Sequence, residues 1–111
     1  MTETPLEITC ADVKARQDAG DDLLLVDCRE QNEYDLVCIA GATLLPMNEL
    51  QDRVGELQEH KGRSIVVHCH HGGRSLRVVN WLRTQGFDQA QSMAGGIDVW
   101  AQEVEPGMVR Y

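Results

Sequence analysis

The chain has 111 residues, 42% of them hydrophobic, which is room for one packed domain and excludes a disordered acidic tail. Eighteen acidic residues against ten basic ones leave a formal charge of −8, which argues against nucleic acid or an anionic membrane as a partner. No apolar run approaches the ~18 residues of a membrane-spanning helix, and the start MTETPLEITC lacks a secretion-signal profile, so a cytoplasmic location is expected.

Residues 6–8 suit a short strand. Thr9 then caps a helix, with Asp12 three positions on, and Gly20 stops it. Residues 23–27 (LLLVD) are a continuous apolar run ending in a polar residue, the pattern of a strand buried on both faces. One or two helical turns follow over 31–36, then a short strand over 42–45 closed by Pro46. Asn48 is expected to cap a helix with Leu50, Val54 and Leu57 on one stripe. Residues 64–68 form a second buried strand, and 75–85 a helix whose Arg77, Asn80 and Thr84 share a polar face. A last strand over 90–93 leads through Gly95-Gly96 into a short helix around Ile97 to Trp100. Strands alternating with helices imply an α/β fold: a mostly parallel five-stranded sheet with helices on both faces, in one domain over 6–108. A monomer is the default expectation at this net charge.

The four cysteines, Cys10, Cys28, Cys38 and Cys69, include no C-x-x-C pair and read as reduced thiols. Adjacent residues point in different directions, so His68-Cys69-His70-His71 makes a poor metal site, and no metal or cofactor is expected.

Sheets of this kind bind ligands outside the carboxyl ends of their strands. Residues 69–74 form such an edge loop, between the strand 64–68 and the helix that Ser75 opens. Gly72 and Gly73 let successive N–H groups turn inward, and the following helix aims its unpaired N–H groups at the same point. Cys69 opens the loop and is the candidate nucleophile. A free thiol of pKa about 8.5 is only ~3% thiolate at pH 7, and a drop of about two units makes it mostly thiolate. That drop corresponds to about 2.7 kcal/mol, more than the ~0.3–1 kcal/mol a helix dipole usually gives. The loop amides, the Arg74 guanidinium or a neighbouring imidazolium must contribute the rest. From His60 to Gln85 the chain holds Lys61, Arg63, Arg74, Arg77 and Arg83 and no acidic residue, a local field suited to a small anion. His68 ends a buried strand and is expected to be packed; His70 and His71 are candidates to meet the substrate's oxygens or supply a proton.

On these residues the sequence resembles the rhodanese (sulfurtransferase) family. Leu24-Leu25-Val26-Asp27-Cys28-Arg29-Glu30 is similar to that family's Asp-x-Arg-Glu box, and Ile39-Ala40-Gly41-Ala42 to its H-I-P-G-A segment. Residues 69–75 resemble its active-site loop, and Gly95-Gly96-Ile97 with Trp100 its G-G-x-x-x-W box. The resemblance implies a Cys69 persulfide, formed from a small anionic sulfur donor such as thiosulfate and passed to cyanide, a thiol or a partner protein. His70, His71, Gly72, Gly73, Arg74 and Ser75 would bind substrate, and Asp27 and Arg29 would fix the loop. Four residues separate Cys69 from Arg74, one fewer than in the C-x5-R loop of related phosphatases, which leaves phosphatase chemistry as a lesser alternative. The loop also resembles rhodanese domains associated with adenylating enzymes, which implies a sulfur-carrier role as the main alternative. Val37, Cys38 and Ala40 depart from the family's glycine, histidine and proline. Cys28 or Cys38 could resolve a Cys69 persulfide as a disulfide, which would make the domain a redox sensor.

Overall fold

A computed structural model describes residues 4–111. Five strands form one parallel sheet in the order β1-β5-β4-β2-β3. They are β1 (Glu7–Ile8), β2 (Leu23–Asp27), β3 (Thr43–Leu44), β4 (Ser64–His68) and β5 (Ala90–Met93). The helices between them are α1 (Cys10–Asp18), α2 (Gln31–Leu36), α3 (Leu50–Arg53), α4 (Gly73–Thr84) and α5 (Gly96–Glu103).

The period-2 alternation of the central strands sorts the core into two layers. Val26, Ile65, Val67 and Ala90 face one side, where Val78, Val79 and Leu82 of α4 and Leu50 of α3 cover them. Leu25, Val66 and Met93 face the other, covered by Cys10 and Val13 of α1 and Ile97 and Trp100 of α5. With both faces covered, the interiors of β2 and β4 are apolar, and the polar residues at their last positions, Asp27 and His68, lie level in register. The chemistry therefore collects at one edge of the sheet, where β2, β4 and β5 end.

Three boundaries differ from the sequence reading. Asn48 caps nothing: Met47–Glu49 is a 3-10 turn, α3 lasts one turn, and Val54–His60 returns to 3-10 geometry. Gly55 lies in the middle of that segment and weakens any longer α-helix. The helix expected from Ser75 begins at Gly73, because Gly72 in the left-handed region reverses the chain in one residue. Packing also reaches Tyr111, past residue 108.

Candidate active site

The loop from Cys69 to Ser75 wraps its own first side chain. Cys69 Sγ accepts hydrogen bonds from the Gly72 amide at 3.1 Å and the Ser75 amide at 3.4 Å, and its thiol lies 3.5 Å from Ser75 Oγ. Gly72 makes this wrapping possible with φ of 109°. Gly73, expected to share that freedom, is an ordinary first residue of α4.

The loop is held from outside by the start of α5. The Ile97 amide donates to Cys69 O at 2.9 Å and the Asp98 amide to His70 O at 3.1 Å, so two otherwise unpaired helix N–H groups fix the loop carbonyls. Gly96 permits that approach: a Cβ there would stand 2.5 Å from both carbonyl oxygens.

The neighbouring Cys28 thiol, the Ser75 hydroxyl and the Ser75 and Gly72 amides together outweigh burial and hold the Cys69 thiol down to about 4. Ser92 on β5, which sequence reasoning missed, supports this set: it is fully buried with its hydroxyl 2.7 Å from Ser75 Oγ. With Ser92 donating in that pair, the single Ser75 hydrogen is shared between Gly72 O, at 3.2 Å, and the thiolate. Replacing Ser92 by alanine is therefore expected to raise the inflection of Cys69 alkylation by about one pH unit. A stopped-flow alkylation profile checks this.

Asp27 and Arg29 are both fully buried and face each other in a two-pronged pair, with Arg29 Nε 2.9 Å from Oδ1 and Nη2 2.6 Å from Oδ2. The same guanidinium donates to Val37 O at 2.7 Å and to the Tyr111 hydroxyl at 2.9 Å. It therefore ties the end of β2 to the turn after α2 and to the C-terminal segment. His68 is buried beside it, its Nε2 3.7 Å from Asp27 Oδ2, and burial pushes its pKa down, so it stays neutral.

Arg74 lies at the mouth, but its guanidinium is held by Glu33 of α2 at 2.7 and 3.0 Å. The Arg74 pairing, against burial and with help from the Tyr111 hydroxyl, holds the Glu33 carboxyl down to about 2. The loop's strong local charge is thus largely offset by a residue 41 positions away in sequence. His70 stacks between Tyr111 and His71 with ring centroids 3.8 Å apart on each side. His71 is exposed, its Nδ1 3.9 Å from Asp98 Oδ2. A hollow of about 470 Å³ opens above Cys69, lined by Cys69, His70, His71, Gly73, Arg74 and Arg77.

Every sequence-selected loop residue except Gly72 and Ser75 thus lines one hollow, while Gly72 and Ser75 contact the sulfur beneath it. Asp27 and Arg29 stand behind it. Glu33, Ser92 and Tyr111 were not legible as site residues, and no local motif marks them. Among the described residues no cluster of three or more His, Cys, Asp or Glu could hold a metal, and no helix is long and apolar enough to cross a membrane.

The family model for the rhodanese-like domain matches residues 9–103. The chain belongs to the rhodanese-like family. Its rhodanese-like domain is 31% identical to adenylyltransferase and sulfurtransferase MOCS3-2 of Zea mays over 109 residues, covering 94% of this chain and 23% of that protein. The chain thus spans about a quarter of that relative's length. The crystal structure of a rhodanese-like domain protein from Staphylococcus aureus superposes with a TM-score of 0.81 at 26% identity, covering 96% of this chain and 99% of that one. The human single-domain sulfurtransferase TSTD1, at 21% identity and a TM-score of 0.77 over 89% of this chain and 97% of its own, shares the fold.

Proposed function

We propose that this rhodanese-like domain transfers sulfane sulfur through a persulfide on Cys69. The Cys69 thiolate attacks the outer sulfur of a donor such as thiosulfate; the S–S bond of the donor breaks, and sulfite leaves with the electron pair. An acceptor, cyanide or a thiolate, then attacks the outer sulfur of the persulfide and returns the Cys69 thiolate. The observation that carries this reading is the ring of donors around Cys69 Sγ: the Cys28 thiol, the Ser75 hydroxyl, and the Gly72 and Ser75 amides at 3.1 and 3.4 Å. Together they favour the ionised sulfur without a general base. The same donors suit the anionic outer sulfur of a persulfide. His70, His71, Arg74 and Arg77 would meet the anionic donor in the hollow above.

A second reading, that the domain carries sulfur to a partner enzyme, is favoured by one specific contact. Glu33 engages both Arg74 nitrogens, so the mouth offers a dianion such as thiosulfate less positive charge than the loop sequence suggests. Slow thiosulfate turnover with rapid transfer from a persulfide donor would fit that role. Phosphatase chemistry is disfavoured by the same contact, which lessens the charge Arg74 offers a phosphate, and by a loop one residue shorter than C-x5-R.

The test is the mass of the Cys69-bearing tryptic peptide, residues 64–74, after exposure to thiosulfate without an acceptor. A gain of one sulfur atom, lost on adding cyanide with formation of thiocyanate, is the expected result. A peptide neither modified nor linked directly after loading, or added sulfur found on another cysteine, would overturn the assignment.

A further inference from the structure

Three cysteines remain once Cys69 is assigned, and the fold separates them. Cys10 lies on the α1 side of the sheet, its thiol 3.6 Å from Ala94 O and Gly96 O. Cys38 is half-buried beyond α2, close to Tyr34. Cys28 is different. The parallel register of β2 and β4 pairs Val26 with Val67 and Asp27 with His68, and the Cys28 amide continues the ladder by donating to His68 O at 3.0 Å. The next rung therefore sets Cys28 level with Cys69. Strand alternation puts both on one face: Val26 and Cys28 from β2, and Ile65, Val67 and Cys69 from β4, belong to the same buried layer. Neighbouring strands lie about 4.8 Å apart, inside the window of about 4.4–6.8 Å between Cα atoms that a disulfide spans.

We propose that Cys28 is a resolving cysteine, which discharges an unspent Cys69 persulfide as hydrosulfide and leaves a Cys28–Cys69 disulfide. This rests on the persulfide reading above. In the step, the Cys28 sulfur attacks Cys69 Sγ, the bond between Sγ and the outer sulfur breaks, and hydrosulfide departs carrying that electron pair and the proton from Cys28. Two cysteine sulfurs are oxidised to the disulfide level and the sulfane sulfur is reduced to sulfide, so no outside oxidant enters. A dithiol reductant then returns both cysteines to thiols through the hollow above Cys69.

The surroundings of Cys28 set when this happens. It is 2% exposed, and the neighbouring Cys69 sulfur and burial both push its pKa up. A thiol so rarely ionised attacks slowly, so an external acceptor takes the sulfur first whenever one is bound. Only a persulfide left waiting is discharged. The domain thereby gains a second output, sulfide, and a resting oxidised state that cannot accept sulfur until reduced.

The four cysteines fall in four different tryptic peptides, residues 1–14, 17–29, 30–53 and 64–74, so peptide mapping reads the pairing directly. The reduced full chain is loaded with thiosulfate under argon, freed of small molecules, held without acceptor, quenched with N-ethylmaleimide and mapped without reduction. Released sulfide is measured alongside. In the wild type we expect peptides 17–29 and 64–74 to become linked as one hydrosulfide per chain appears, with no linkage when thiosulfate is omitted. Two variants are loaded to completion before the hold: Cys28→Ser, which keeps a hydrogen-bond donor beside Cys69 Sγ, and Cys28→Ala, which loads more slowly without one. In both, the link and the sulfide are lost and the added sulfur stays on 64–74. A wild-type persulfide that persists unlinked overturns the inference while leaving the sulfur-transfer reading intact. So does linkage to 30–53, or linkage that needs no thiosulfate. Sulfur on 64–74 in neither the wild type nor the variants, with no link formed, would instead sink the sulfur-transfer reading itself.

Discussion

Replacing Cys69 by alanine is expected to abolish sulfur transfer, with a loss on the order of 10⁴-fold or more, as for other enzymes stripped of a covalent nucleophile. The fold should survive. Cys69 is buried among Val26, Val67 and Val78, and alanine removes one sulfur atom from that layer without stranding a charge. The two amides that meet Sγ, from Gly72 and Ser75, lose an acceptor, a cost far smaller than that of an unpaired buried charge. Loss of activity should therefore come with little change in the denaturation midpoint. A variant keeping more than about a hundredth of wild-type transfer would show that the donor's sulfur is handed on without covalent capture.

Replacing Arg29 by alanine should cost about 3–5 kcal/mol of stability, because it leaves the Asp27 carboxylate buried without its partner. Both side chains are fully buried, and the guanidinium makes close contacts to Asp27, Val37 and Tyr111 at once. The loss is expected to shrink on acidification, since His68, 3.7 Å from Asp27, is freed of one of the charges that discourage its protonation. Urea denaturation of wild type and variant between pH 5 and 8 measures both effects. A loss below about 1 kcal/mol would mean that water reaches Asp27 in the variant, and that the pair contributes geometry more than energy.

The parts of this fold that could be read from sequence are those set by short-range pattern. The runs LLLVD and SIVVH can lie only in a sheet covered on both faces, and β2 and β4 occupy 23–27 and 64–68 as expected. Thr9 accepts from the Asp12 amide at 3.1 Å, the cap its position implied. The Asn48 cap failed because capping preference is a local vote, and Pro46 before it and Gly55 after it left too short a helix to cap. The sulfur's amide donors were legible because Cys69, Gly72 and Ser75 are neighbours in the chain. Glu33, Ser92 and Tyr111 were not, because each reaches the site through the sheet's crossover order or the returning C-terminal segment. Glu33 matters most among them. The sequence showed an unopposed basic window, whereas the folded chain sets a carboxylate against its central arginine. Cys28 was noticed beside Asp27, but only the strand register distinguishes it from Cys38.

The claim beneath all of this is that Cys69 is ionised at neutral pH within its ring of donors. Its most direct test is the rate of iodoacetamide alkylation at Cys69, read on the peptide 64–74 as a function of pH. The thiolate is the reactive form, so the rate should be flat through neutrality and fall only as the pH drops through about 4. A rate that climbs through pH 8 and above, like that of a free thiol, would contradict the account.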